Sequence, residues 1–221
     1  MKKLNHASAK SVAISRAFDD VSSYTELEKA IVSYAHIPKE DGEFLDRLGA
    51  AFEVYTEYFF SRYNDDTRLN VKNVTDTSEN KFEVGIDFTY EDASGNAGGI
   101  QSKFSHDPTH KFTRKTLGTF VSMCDEMGIP AKRRKLFTNL YHKVRDNDYG
   151  IFHSSYAGGV NQMHVFGRLE QEEFIERDPT FWTDFVDALR ESMIEGEVKQ
   201  MHTPRAHQQE IIDACDAFFA E

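Results

Sequence analysis

Residues 82–90 constrain this chain more than any other stretch. Phe82, Val84, Ile86 and Phe88 alternate with Glu83, Gly85, Asp87 and Thr89, the period of two that sends alternate side chains to opposite faces of a β-strand. Residues 91–98 are polar and glycine-rich, as in a tight connection, and residues 99–104 read as the strand returning from it. On that return Gln101 and Lys103 share one face and Ser102 takes the other. Hairpin pairing then sets Asp87 beside Gln101 and Lys103. A hairpin with an apolar face must bury it, so the rest of the chain has to supply the cover.

The flanking sequence supplies helices at the required spacing. Leu27, Ala30, Ile31 and Tyr34 form a helical stripe within residues 25–37, stopped by Pro38. Phe44, Leu45, Leu48, Phe52, Tyr55 and Phe59 recur at intervals of three and four, which predicts a long helix over residues 40–63. Residues 64–66 close it, and residues 69–74 carry a strand pattern. Leu117, Phe120, Val121 and Cys124 mark a helix over residues 114–127, ended by Gly128 and Pro130. Two further strands are expected over residues 135–138 and 163–169, either side of a weakly patterned region at 141–159. Helices are expected over residues 170–176 and 180–193, the second with Phe181, Trp182, Phe185 and Leu189 as a core stripe. This order predicts a mixed sheet flanked by helices on both faces. Residues 1–20 read as a loose segment and residues 21–195 as the folded domain.

A chain of 221 residues can bury a full core. It has no apolar run of the kind found in signal peptides, and none of the ~20 residues needed to span a bilayer, so a cytoplasmic protein without a membrane partner is expected. Cys124 and Cys215 are spaced for neither a metal motif nor a disulfide framework and are expected as reduced thiols. The net charge of −11 argues against nucleic acid as a partner. Its distribution allows a basic face on an acidic body, because residues 103–145 hold ten Lys and Arg against three acids, although for a charge run alone a solvated surface is the commoner reading. Within that region Lys111, Arg114 and Lys115 follow the returning strand most closely and are candidates to contact DNA phosphates. For residues 132–135 a solvated loop and a DNA-backbone contact are equal readings. His106 and His110 are four apart, but Pro108 between them breaks the helix that would align both on zinc.

The polar face of the hairpin suggests a specific chemistry. The carboxylate of Asp87 and the amide oxygen of Gln101 are hard ligands of the kind Mg2+ takes while keeping waters for substrate phosphates. Lys103 is a cation suited to holding an attacking hydroxide or offsetting charge that develops on a phosphate. A bound metal would lower the pKa of its water and polarise the phosphoryl oxygen. Taken singly, Asp87 and Lys103 read as a surface ion pair worth ~0 to 1 kcal/mol.

Gly85-Ile86-Asp87, a short hairpin, and Ile100-Gln101-Ser102-Lys103-Phe104 together resemble the GxD…QxK signature of Mrr-like PD-(D/E)XK restriction endonucleases. Gly49-Ala50-Ala51-Phe52-Glu53 is similar to that family's GxxFE element, in which a helix glutamate approaches the metal. The resemblance covers roughly residues 49–169. It implies an α/β/α sandwich with a central mixed sheet and cleavage of DNA dependent on Mg2+, with Mn2+ as a substitute. It also implies Asp87, Gln101, Lys103 and Glu53 as the catalytic set, with Asp87, Gln101 and Glu53 on the metal. Glu57, one helical turn beyond Glu53, is the alternative for its role. The commoner family form has Glu at the position of Gln101, and the amide brings one negative charge fewer.

Residues 204–212 are similar to the opening motif of superfamily 2 helicases, in which the glutamine recognises adenine, here Gln208; a polar-capped terminal helix is the equal alternative. No GxxxxGK[ST] loop is present. Residues 196–221 are thus expected as a linker and the start of a motor domain in a longer polypeptide, an arrangement resembling type ISP restriction enzymes and related helicase-nucleases. The function expected is an Mg2+-dependent deoxyribonuclease. The alternative is a non-catalytic DNA-binding or assembly module that keeps the nuclease fold.

Overall fold

The computed structural model of the protein describes residues 4–36, 44–64, 66–77, 85–141 and 163–201, with the backbone alone for Arg114 and residues 194–201. In chain order the elements are α1 (Ala9–Ile14), α2 (Tyr24–His36), α3 (Phe44–Arg62), β1 (Lys72–Asp76), β2 (Phe88–Glu91), β3 (Ala97–Lys103) and α4 (Arg114–Glu126), and then β4 (Arg134–Thr138), β5 (His164–Phe166), α5 (Arg168–Ile175) and α6 (Phe181–Met201). The five strands form one mixed sheet in the order β1-β2-β3-β4-β5. β2 runs antiparallel to both of its neighbours, β1 and β3, whereas β4 runs parallel to β3 and β5 parallel to β4. The parallel step from β3 to β4 needs a crossover, and α4 supplies it.

Each face of the sheet has its own apolar layer. Leu117, Phe120 and Cys124 of α4 pack with Ile86, Leu136 and Val165 on one face. On the other, α1, α2, α3 and α6 pack with Phe88, Ile100, Phe137 and Phe166. Leu136 and Phe137 are neighbours in β4 yet belong to opposite layers, as strand alternation requires. The larger layer is built on α3, whose Phe52, Tyr55, Phe59 and Phe60 are fully buried and contribute about 1.5–3 kcal/mol each. Their rings meet Phe137 at centroid distances of 5.1 to 5.9 Å. Phe181, Phe185 and Leu189 of α6 are buried in the same layer, as their spacing predicts, and Trp182 stacks on Tyr55.

One buried polar side chain ties this layer together. Gln171 of α5 has no solvent exposure. Its Oε1 accepts from the hydroxyls of Tyr24 (2.8 Å) and Tyr55 (3.2 Å), and its Nε2 donates to the carbonyls of Thr138 (2.8 Å) and Phe166 (3.1 Å). All four bonding positions of the amide are used.

Several expectations are corrected. The segment before α2 is not loose: Leu4, Ala9, Val12, Phe18 and Val21 are all buried in the large layer, because α1 packs against α6 and α3. Ile86 and Phe88, expected on one face, lie in opposite layers. The strand begins only at Phe88, after a bend at residues 85–87 where Gly85 takes a φ of +112°; residues 82–84 lie outside the described set. The strand expected over 163–169 spans three residues and gives way at Gly167 to α5, which starts two residues before its predicted position. The final helix continues through the boundary expected at 195 to Met201. Residues 202–221, including Gln208 and Cys215, lie outside the described set, as does most of the region at 141–159. Among the described residues no helix is long and apolar enough to cross a membrane.

Candidate active site

The position of Asp87 follows from glycine and threonine geometry around it. A Cβ on Gly85 would lie 2.7 Å from Thr119 Cγ2 on α4, closer than any side chain allows, so only glycine lets the bend seat against that helix. Thr77, just beyond β1, clamps the other side. Its N–H donates to the Asp87 carbonyl at 3.1 Å, and its Oγ1 donates to the carbonyls of Ile86 and Asp87. The Asp87 N–H donates to Ile100 O on β3 at 3.1 Å. The Gly-x-Asp spacing thus serves a bend that fits against α4 and presents the aspartate to β3.

The side chain meets β3 directly. Asp87 Oδ2 accepts from Gln101 Nε2 at 2.5 Å and from the Ser102 backbone N–H at 2.7 Å. Gln101 is 3% exposed and Ser102 5%. The period of two along β3 holds: Ser102 turns to the opposite face, where its hydroxyl meets Thr56 Oγ1 of α3 at 2.8 Å. Lys103 ends β3 half-buried. Burial and the nearby Glu53 charge push the Asp87 carboxyl up to about 7, against the opposing pull of Lys103, Ser102 and Gln101. Asp87 is thus hydrogen-bonded to Gln101 and Ser102 and feels the charges of Glu53 and Lys103.

Glu53 and Glu57 are assigned different partners. Glu57 is buried, and its carboxylate accepts the backbone N–H groups of Asn5 (2.8 Å) and His6 (3.0 Å). Burial raises its pKa, and those two N–H groups partly offset the rise. Glu53 Oε2 instead meets His6 Nε2 at 3.0 Å, and the Glu53 charge reaches Asp87. Burial lowers the His6 pKa, but the bond and charge of Glu53, with Asp76 and Glu57, raise it on balance. Gly49 has no steric duty beside Glu53, since an added Cβ would make an ordinary contact of 3.8 Å with Oε1.

No family model, curated protein or solved structure matches this chain.

The basic region divides into two parts. Lys111 and Lys115 are exposed at the start of α4; Arg114 opens that helix, and its side chain lies outside the described set. Residues 132–135 are largely committed to the fold. Arg134 is buried, with its guanidinium on Ile129 O and on Asp125 at 2.5 Å, and Arg133 donates to Ala97 O at 2.5 Å. Lys135 is 6% exposed, and burial lowers its pKa to about 8. Both readings of the segment as a unit are thereby corrected, and of these four residues Lys132 alone is exposed.

Among the described residues, no group of three or more His, Cys, Asp and Glu side chains is gathered so as to hold a metal ion. The oxygen donors here are the carboxylates of Asp87 and Glu53 and the Gln101 amide. His6, Ser102 and Gln171 escaped sequence reasoning. His6 lies 47 residues before Glu53 with no motif around it, and Ser102 acts through its backbone, which the sequence does not specify.

Proposed function

We propose that the protein is a divalent-metal-dependent deoxyribonuclease of the PD-(D/E)XK, Mrr-like kind, with its centre at Asp87, Gln101, Lys103 and Glu53. The observation that carries the reading is the Asp87 carboxylate held by Gln101 and Ser102 of β3 and raised to about 7 by burial and by Glu53. A carboxylate whose ionisation is opposed by burial and by the Glu53 charge, next to an amide and a lysine, belongs to a donor set that a hard divalent cation suits. Mg2+ or Mn2+ would be held by Asp87, Glu53 and the Gln101 oxygen, the last after rotation of an amide whose nitrogen now faces Asp87.

When bound, the ion supplies Lewis-acid stabilisation of the phosphoryl group. The chain supplies the rest. The Ser102 N–H fixes one oxygen of Asp87, which limits that carboxylate to one orientation. Lys103, at the end of β3, offsets negative charge on the phosphate as the P–O bond breaks. Exposed Lys111 and Lys115, with Arg114, supply cations for the DNA backbone, and the resemblance of residues 204–212 to a helicase motif makes a motor in the same polypeptide a fitting source of DNA. The test is nicking of supercoiled plasmid with Mg2+ or Mn2+ against EDTA. Metal-dependent nicking lost in Asp87→Ala is the expected result; metal-dependent DNA binding without nicking would favour the non-catalytic module instead.

A further inference from the structure

The contact between His6 and Glu53 joins residues that are remote in sequence, and three other bonds determine how it is made. The Ser8 backbone N–H donates to His6 Nδ1 at 3.1 Å. Since a backbone N–H can only donate, Nδ1 must present its lone pair, and the ring proton resides on Nε2. Nε2 is the atom that faces Glu53 Oε2 at 3.0 Å. The backbone on either side of the ring is fixed as well, because the N–H groups of Asn5 and His6 both end on the buried Glu57 carboxylate. The ring is 6% exposed and lies 6.4 Å from Phe88 at the start of β2.

We propose that His6 is a positioning residue for Glu53, its Nε2–H holding one carboxylate oxygen so that the other is presented toward Asp87, with Glu57 and Ser8 fixing the ring. The inference rests on the metal-site reading above. It assigns the segment before α1 to the site, gives the two α3 glutamates distinct duties, and makes Glu57 the clamp of that segment and not a metal ligand. Hydrogen-bonded partners of a ligating carboxylate set its direction, and losing one typically costs about tenfold or more in metal affinity.

The test is Mn2+ titration of the DNA-free full chain by calorimetry, with thermal melting of each variant alongside. His6→Phe fills the ring volume without a donor and is expected to weaken Mn2+ binding about tenfold. His6→Gln places an amide N–H at the same ε position and is expected to return affinity to within about twofold of the unmodified chain, a rescue that a packing role would not produce. If His6→Phe fails to melt cooperatively, His6→Asn, whose amide cannot reach Glu53, takes its place with the same expectation. Unchanged Mn2+ affinity in the donor-less variant, or equal weakening in His6→Gln, overturns the proposal while the metal site stands. An unmodified chain that binds no Mn2+, or whose binding survives Asp87→Ala, overturns both.

Discussion

Two glutamines are buried in this fold, Gln101 in the middle strand of the sheet and Gln171 in α5, and they are used in opposite ways. Gln171 has its two donors and its acceptor oxygen occupied by two tyrosine hydroxyls and two carbonyls, all uncharged. Gln101 donates to a carboxylate whose ionisation is opposed by burial and by a neighbouring glutamate. The first arrangement is complete, and it binds α2, α3, β4, β5 and α5 into one unit. The second carries an electrostatic cost that only an added positive charge would remove. A buried polar group that is fully satisfied serves the fold, whereas one placed against a raised carboxyl is a candidate for chemistry.

The comparison can be broken by mutation. The largest stability effect is expected from Gln171→Ala, which leaves Tyr24, Tyr55, Thr138 and Phe166 each short of a partner; at ~1–3 kcal/mol for a stranded buried group, a total loss of about 3–5 kcal/mol in denaturant unfolding is expected. A loss below about 1 kcal/mol would show that the Gln171 network is not a keystone. Asp87→Ala should change function instead, with plasmid cleavage reduced at least about a hundredfold and DNA binding by filter retention retained. Unchanged cleavage would remove the proposed centre.

The pH dependence sharpens the same contrast. An unfolded aspartate titrates near pH 3.9, and in the fold Asp87 is raised to about 7. The folded state therefore holds the extra proton, and the contribution of Asp87 to stability is greatest below pH 4 and is lost as pH rises through 7. In metal-free protein, Asp87→Asn should flatten this part of the stability profile, measured as unfolding midpoints between pH 5 and 8 relative to the unmodified chain; an unaltered slope would contradict the raised carboxyl. Gln101→Glu should tighten Mn2+ binding by about tenfold at pH 8, because a second negative ligand adjoins the ion; weaker binding on titration would mean that the amide donor to Asp87 matters more than ligand charge. The smallest effect is expected from Ser102→Ala, which removes the bond to Thr56 but keeps the backbone N–H on Asp87, and should cost about 1 kcal/mol in unfolding with metal affinity unchanged.

Much of the frame was legible in the sequence, because the apolar periods of α2, α3 and α4 and the alternation in β3 have local causes. The meeting of Asp87 with Gln101 was legible for the same reason, as a hairpin register needs only the turn and the period. The bend at Gly85 was not, since it arises from the approach of α4, and it is what sends Ile86 and Phe88 to opposite layers. His6 and Gln171 were hidden by sequence separation. Glu53 lies 47 residues from His6, and Tyr55 and Tyr24 lie 116 and 147 residues from Gln171, and no local pattern records such meetings. The different partners of Glu53 and Glu57 were hidden in the same way, because both contacts are made by the segment before α1.

The margins of the sheet have a consequence for how copies of this protein can meet. Among the described residues β1 and β5 are the outer strands. β1 is interrupted by a register shift between Lys72 and Thr75, with Asn73 at a φ of +51°, and β5 is three residues long. A kinked margin and a short one both present few aligned N–H and C=O groups, so neither is a good template for strand addition from another molecule. Among the described residues the margins of the sheet thus offer little purchase for the edge-to-edge growth that leads to fibrous aggregates, which leaves helix and loop surfaces as the better places for copies to meet.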